Sequence, residues 1–460
     1  ALAGALGLYA GAVSEFYWLL PLSSKWFDAI FFASLWCLAE LARGVWFTGF
    51  PWGATGYAHI GSLGWLAPWV GVYGMGAVAV GVAAGLARLW ACDHADVWRR
   101  CLLSMGLLAA LMAGNLLQPV APGFTQPSGT LPLILMQGNI PQDEKFQSGS
   151  GVPRALSSYS KGFRREEAPA EMRDVPPPAS GTASLGRPLV VAPETALPLL
   201  PQQLGVEFWQ PVLSGMVSGQ HAVLTGLPLG NSSEGYANAV WGITPEQAGR
   251  ALQRLADGVP IGKLDVGDGG IYRYAKHHLV PFGEFIPPFF KWFVAMMDIP
   301  LGDFNRGVLN QPSFEWAGQR IAPNICYEDL FGEELASRFV DSTLAPTVLV
   351  NLSNLAWFGN TVALDQHLHI SRMRALELER PMVRATNTGA TVVIDHRGVV
   401  THALPRVTEA ELVAEATGRE GVTPYARWAG RWGLGPAWLL AGLLSLAGLW
   451  AGLRRRRSAG

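Results

Sequence analysis

The sequence predicts an α-helical membrane bundle joined to an α/β layered domain, and three observations predict it. Half of the 460 residues are hydrophobic, 15% are charged and the mean hydropathy is +0.22. That balance is too apolar for an ordinary soluble protein and too polar for a chain lying wholly in the bilayer. Apolar stretches long enough to cross ~30 Å of hydrocarbon cluster in 1–120 and recur in 434–460. The intervening 121–433 alternates strand-like runs with helical spacings.

Residues 1–21 are apolar apart from Glu15 and read as a first pass. Ala1 lies inside this run, as expected of a truncated N-terminus. A second pass covers 26–47, a third 68–90, a fourth 102–120 and a last one about Leu434–Leu453. Residues 48–67 carry no Lys or Arg and several Gly, Pro and Trp, the composition of an interfacial loop. Glu40 and Arg43 share a helix face. Each costs roughly 2.5–3.5 kcal/mol at mid-bilayer, so we read them as a satisfied pair facing protein, with substrate binding as the alternative. Lys25, the Arg88/Arg99/Arg100 group and Arg454–Arg457 place those ends in the cytoplasm by the positive-inside rule. Alternating passes then put 48–67 and 121–433 outside, in the periplasm of a bacterium. A net charge of −1 with no basic stripe argues against nucleic-acid binding.

In the external domain, strands are expected at 131–136, 188–192, 222–226, 238–244, 347–352, 391–394 and 399–402. Helical spacing appears at 203–218, 329–340 and 361–379, the last ended by Pro381 after Arg380. The Ser-, Pro- and Gly-rich 147–187 reads as a surface excursion with a short helix. No internal repeat is visible.

Three apolar runs end in an ionisable residue. Val190–Pro193 leads to Glu194, Tyr272–Ala275 to Lys276 with Glu284 eight residues on, and Ile321–Ile325 to Cys326. Strand ends let a sheet gather distant residues at one rim. A cysteine at a strand-to-helix turn is exposed beside the free N–H groups of the helix start, which stabilise a thiolate or an oxyanion. The alternative is a buried structural cysteine. The topology weighs against it. Cys37 falls in a helix and Cys92 and Cys101 on the cytoplasmic side, leaving Cys326 as the lone external thiol in a compartment that normally pairs its cysteines. His277, His278, His367 and His369 lack an acidic cluster at ligand spacing and read as polar surface histidines, with no metal or other cofactor expected.

Together, in the order Glu194, Lys276, Cys326, these residues resemble the nitrilase (carbon–nitrogen hydrolase) superfamily. Longer matches are similar to the apolipoprotein N-acyltransferase family. They are MQGNIPQDEKF at 136–146, APETALP at 192–198, KHHLVPFGEFIP at 276–287, ICYED at 325–329 and NLAWFGN at 354–360. QHLHISRMRALELERPMVRATNTG at 366–389, GVTPYAR at 421–427 and ELARGVWFTGFPW at 40–52 extend the likeness over nearly the whole chain.

The resemblance implies an αββα sandwich at 121–433, with Glu194 as general base, Lys276 as stabiliser of the tetrahedral intermediate and Cys326 as nucleophile. Glu284, Tyr327 and Glu328 match supporting positions. Phe146 stands where some members carry Trp, which implies different lipid packing there. The family carries about eight membrane helices against about five here. The implied reaction moves a fatty acyl chain from a phospholipid, through a Cys thioester, to the α-amine of a diacylglyceryl-cysteine lipoprotein. It is the last step of bacterial lipoprotein maturation, in the inner (cytoplasmic) membrane.

The membrane helices fit such chemistry, because exposing an acyl chain to water costs roughly 0.8 kcal/mol per CH₂. The aromatic-rich Phe282–Phe304 segment is either a lid that touches lipid or an apolar loop packed on the core. Two other readings stand beside transfer. One is a membrane-tethered amidase or nitrilase, in which water takes the acyl group. The other is a non-catalytic scaffold that binds lipoproteins.

Overall fold

A computed structural model describes residues 2–18, 25–90, 97–117, 123–165, 187–259, 270–286 and 304–459. Its first part is helical: α1 (Leu2–Trp18), α2 (Lys25–Val45), a short α3 (Ile60–Leu63), α4 (Ala67–Trp90) and α5 (Val97–Leu117). Among the described residues, four stretches of helix are long and apolar enough to cross a membrane: Phe27–Thr48, Thr55–Trp90, Val97–Gly114 and Gly435–Arg455. Glu40 and Arg43 lie 3.7 Å apart, and Glu40 also accepts hydrogen bonds from the N–H and hydroxyl of Thr55 at 2.7 Å each. The pair faces protein as expected of charges in a membrane helix, but it is satisfied only in part: Glu40 Oε2 and Arg43 Nε and Nη2 are buried without a hydrogen-bond partner among the described residues.

Three details differ from the sequence reading. The first of the five expected passes, 1–21, is the 17-residue helix α1 and is not among these four stretches. Residues 55–66 are wound into consecutive short helical turns that run into α4, where an interfacial loop was expected. Glu40 caps this segment through Thr55, which one-dimensional composition does not reveal. The helix of the fourth pass already includes Val97, ahead of the expected 102, and Arg100 in its first turn donates to the Trp90 carbonyl at 3.3 Å.

Alternation along the strands builds the second part. β1 (Thr125–Gln137), β2 (Leu189–Val191), β3 (Ala222–Asn231), β4 (Gly235–Ile243) and β5 (Tyr272–Ala275) form one sheet. β6 (Phe314–Trp316), β7 (Gln319–Ile325), β8 (Val348–Ser353), β9 (Met382–Thr386), β10 (Val392–Ile394) and β11 (Val400–Ala403) form the other. β12 (Ala410–Gly421) returns to the first sheet and pairs antiparallel with β1, giving two sheets of six. Leu131, Leu133 and Leu135 face Ile321, Ile325, Val348, Val350 and Leu352 across the gap between the sheets. Ile134 and Met136, one residue out of phase, face helices instead. Each large apolar side chain so buried contributes about 1.5–3 kcal/mol.

The helices on that outer face are α6 (Gly151–Phe163), α7 (Val206–Ser218) and α8 (Pro245–Ala256), through Tyr159, Phe163, Trp209, Met216 and Ala248. The other sheet is covered by α9 (Gly332–Ala336), α10 (Ala363–Leu378) and α11 (Pro424–Trp432). The order of layers is therefore αββα. The final helix α12 (Gly435–Ala459) returns to the membrane helices, where Ser445 and Ser34 share a 2.8 Å hydrogen bond.

Helices α8 and α11 and strands β6, β9 and β12 lie outside the elements expected from the sequence. For α8 the signal was present: Thr244 and Gln247 form a reciprocal capping box, with Pro245 at the first turn. In β12 it was also present, since Leu412, Ala414 and Ala416 alternate with exposed residues. The helix expected at 329–340 is broken into a 3-10 turn at Cys326–Leu330, then α9, then a second 3-10 turn at Ser337–Phe339.

The sandwich sits directly on the helices. Leu41, Tyr57, Val72 and Met75 pack with Tyr327, Leu330, Phe331, Ile370 and Met373 in one apolar cluster. Hydrogen bonds cross the same boundary from the Val72 N–H to Glu377 (2.7 Å), Trp52 to Gln366 (2.7 Å) and Trp428 to the Trp69 carbonyl (2.9 Å).

Candidate active site

Strand ends deliver the site. Glu194 lies three residues past β2, Lys276 directly follows β5 and Cys326 directly follows β7. Such rims collect side chains from distant parts of a chain. The Cys326 backbone has a φ of +50°, and Thr195 beside Glu194 has +49°. A non-glycine residue held there costs roughly 1–2 kcal/mol, and such strain is typical where a turn must aim one side chain. Asn351 fixes the Cys326 turn by donating to its carbonyl at 3.1 Å. At the Glu194 turn, Gly226 of β3 passes so close that a Cβ there would stand 2.6 Å from Pro193 O and Thr195 N.

Lys276 is the centre of the cluster. It is 1% exposed, its Nζ lies 2.8–2.9 Å from the Glu284 carboxylate and 3.5 Å from Glu194 Oε1. Asn238 of β4 joins the two acids, donating from Nδ2 to Glu194 Oε1 and Glu284 Oε1 at 2.7 Å each. The other Glu194 oxygen accepts from the Asn354 N–H at 2.9 Å. Burial by itself lowers the Lys276 ammonium, but Glu284, Glu194 and Cys326 together raise it above its ordinary value. Cys326 is half-buried. Burial, then the Glu194 charge, push its thiol well above the usual range, with Lys276 opposing. Such a thiol reacts only with a base at hand.

The supporting residues separate into different places. Glu328 is buried beneath the Cys326 turn and accepts from the N–H groups of Ile325 (2.6 Å), His277 (2.7 Å) and His278 (3.2 Å) and from Tyr274 Oη (2.8 Å). Burial raises its carboxyl despite those donors. It stitches the Lys276 and Cys326 segments together. Tyr327 turns to the membrane part, where its hydroxyl donates to the Gly49 carbonyl at 2.9 Å. Phe146 is exposed at the rim. Of the aromatic 282–304 segment, 287–303 lies outside the described residues, including Phe289, Phe290, Trp292, Phe293, Met296 and Met297.

The reading of surface histidines fails for two of four. His278 is buried, with Nδ1 2.9 Å from Glu334 and Nε2 2.9 Å from the Thr48 carbonyl. His367 is also buried, 3.1 Å from Asp329 and 2.6 Å from Arg384. Polar partners from separate segments make burial affordable, and no local pattern announces them. Asn238, Asn351 and Lys145 were likewise missed as site residues. Asn238 sits in an otherwise apolar strand, which is a signal that a buried amide has a partner.

A cleft of about 670 Å³ is lined by Gln142, Asp143, Trp357, Asn360 and Thr388 among others, and by none of Glu194, Lys276, Glu284 or Cys326. Gln142 accepts from Asn354 at 2.7 Å, linking the cleft to the Glu194 carboxylate. Among the described residues no group of three or more His, Cys, Asp or Glu is placed to hold a metal ion.

Residues 156–425 match the family model described as carbon-nitrogen hydrolase, and residues 1–85 match that of the apolipoprotein N-acyltransferase N-terminal domain. A protein from Verminephrobacter eiseniae named apolipoprotein N-acyltransferase is 50% identical over 440 residues, covering 93% of this chain and 74% of its own. One of the same name from Ralstonia nicotianae is 44% identical over 435 residues, covering 94% and 72%. Among solved structures, a CN-hydrolase superfamily protein from Xanthomonas campestris overlaps 68% of this chain and 97% of its own, with a TM-score of 0.41 and 16% identity.

Proposed function

The chain belongs to the apolipoprotein N-acyltransferase family, a membrane acyltransferase with lipid and lipoprotein substrates, and we propose that it works in two half-reactions through an acyl thioester on Cys326. Glu194 takes the Cys326 proton as Sγ attacks a phospholipid ester carbonyl. Lys276 and the Tyr327 N–H hold the developing oxyanion. The intermediate collapses, the lysophospholipid alkoxide leaves with the proton from Glu194, and the acyl group stays on sulfur. In the second half, the free α-amine of a diacylglyceryl-cysteine lipoprotein attacks the thioester. Glu194 accepts the amine proton and returns it to the departing Cys326 thiolate. The balance is ester plus amine to amide plus alcohol, with no external energy source.

The observation that carries this reading is the delivery of Glu194, Lys276 and the half-buried Cys326 by strand ends, with Lys276 Nζ 3.5 Å from Glu194 Oε1. A thiol held neutral needs a base in the attack step itself. Glu284 supports the reading as the second carboxylate on Lys276: it fixes the ammonium and keeps it charged. The domain assignment proposed is a membrane part at 1–120 and 434–460 with a catalytic part at 121–433. We place the catalytic part on the periplasmic side of a bacterial inner membrane. The outward-facing Leu102, Met105, Leu116, Leu440 and Leu443 support a lipid setting for the helices. A membrane-impermeant thiol reagent reaching Cys101 in intact cells would overturn that orientation.

Intact-protein mass spectrometry after incubation with phospholipid tests the chemistry. A fatty-acyl increment that hydroxylamine removes, that Cys326→Ala lacks and that a diacylglyceryl peptide amine discharges is the expected result. Free fatty acid released without an acyl-enzyme or an amide product would sink transfer in favour of hydrolysis.

A further inference from the structure

Lys145 follows Glu144 in the QGNIPQDEKF stretch and ends up inside the site. It is 2% exposed. An ammonium carries three donors, yet its single hydrogen bond among the described residues is to the main-chain oxygen of Glu194, at 3.0 Å. It forms no ion pair there. The charged groups it feels are Glu194 and Cys326, the base and the nucleophile. The Phe146 ring lies 5.8 Å from its Nζ, within reach of a cation–π contact. A lysine buried without a close counter-ion normally destabilises a fold by several kcal/mol, so its charge needs a purpose.

Counting charge supplies one. Glu194 and Glu284 bring two negative charges around the one positive charge of Lys276. Moving a proton from Cys326 to Glu194 relocates the excess without removing it. Forming the oxyanion does the same. At every stage of acyl transfer the cluster is one positive charge short, inside a low-dielectric site where an unbalanced charge is costly. We propose that Lys145 is the second ammonium of this centre, a positioning residue that holds the Glu194 turn and balances the negative charge passing between Glu194, Cys326 and the acyl oxygen. This rests on the thioester reading above. The exposed Phe146 ring acquires a role as the outer wall of that ammonium. Burial, partly offset by Glu194 and Cys326, lowers the Lys145 ammonium to about 8, so it carries its charge at neutral pH.

The test separates charge from shape. Lys145→Gln keeps a donor for the Glu194 carbonyl without the charge, Lys145→Met keeps the packing without either, and Lys145→Arg keeps the charge. Two quantities are read on the full detergent-solubilised chain: the rate of Cys326 alkylation by iodoacetamide against pH, and the single-turnover rate of acyl-enzyme formation from phospholipid. In Lys145→Gln and Lys145→Met the alkylation profile should move to higher pH by about one unit, and acylation should slow about tenfold to a hundredfold. Lys145→Arg should retain most of both. Alkylation and acylation unchanged in the neutral variants would overturn the proposal. So would neutral variants that fail to fold while Lys145→Arg folds normally, since the charge would then serve the fold. Absence of any acyl adduct in the unaltered protein would overturn the thioester reading instead, and the alkylation profile would still report on Lys145.

Discussion

Two clusters of buried charge flank the Cys326 turn, and they are built on opposite plans. On one side Glu194, Glu284, Lys276 and Lys145 meet at the rim of both sheets. On the other, Asp329, three residues after the nucleophile, is held by Arg384 (3.2 Å), His367 (3.1 Å) and the Ser371 hydroxyl. One helical turn further, Arg374 and Glu377 pair at 2.8 Å, and Glu377 reaches the Val72 N–H of α4. In this second cluster Asp329, His367, Arg384, Arg374 and Glu377 are all 0% exposed. Each charge has an opposite partner in contact. In the first cluster the carboxylates outnumber the closely paired cation, Lys276 is shared between two acids and the neighbouring thiol is only half-buried. The same residue types therefore make a joint in one place and a reagent in the other. What separates them is pairing and access rather than composition.

The comparison can be broken most decisively at the rim. Replacing Cys326 by Ser, or Glu194 by Gln, should cut N-acylation of a diacylglyceryl peptide by about 10²–10⁴-fold or more. The thermal unfolding midpoint should move by only about 2 °C. A large loss of stability in either variant would mean that the rim is a joint too. The joint should behave in the reverse sense. Asp329→Asn leaves Arg384 with an uncompensated buried charge, so unfolding by denaturant should cost roughly 3–5 kcal/mol less. Activity per folded molecule should stay within a few-fold. A fold as stable as before, with activity lost, would move Asp329 into the chemistry.

The smallest expected effect comes from Glu333, at the edge of the joint. Burial, then its neighbour Glu334, push its carboxyl up to about 8. The folded chain then binds that proton more tightly than the unfolded chain. Glu333 therefore favours the folded state at low pH, and that contribution falls away as pH rises from about 4.5 to 8. Glu333→Gln should flatten the stability profile across this window, as read by thermal unfolding at stepped pH. An unchanged slope would assign the titration elsewhere.

Much of this was legible in one dimension, for reasons that can be stated residue by residue. Glu194, Lys276 and Cys326 each end an apolar strand, and strand ends at one rim converge whatever the loops do. Glu40 and Arg43, three apart on an apolar helix, had to share a face, but the close partner of Glu40 is Thr55, which the spacing does not reveal. The capping box at Thr244–Gln247 and the alternation in β12 are local signals of the same kind. Asn238 and Lys145 were not readable as partners of Glu194. They lie 44 and 49 residues from it along the chain, and nothing in their own neighbourhood specifies the meeting.

The sequence by itself determined four of the five apolar segments taken as long enough for a bilayer, the layered α/β class and which three side chains stand at strand ends. Those properties follow from local periodicity and from the cost of leaving apolar surface in water. Only the tertiary structure decided how charge is balanced. It set Lys276 between two acids, brought Lys145 to the back of Glu194, turned Tyr327 towards Gly49 and buried His278 and His367. Electrostatic pairing acts through space across a few ångströms, and the partners come from segments that meet only when both sheets and the membrane helices have closed around them.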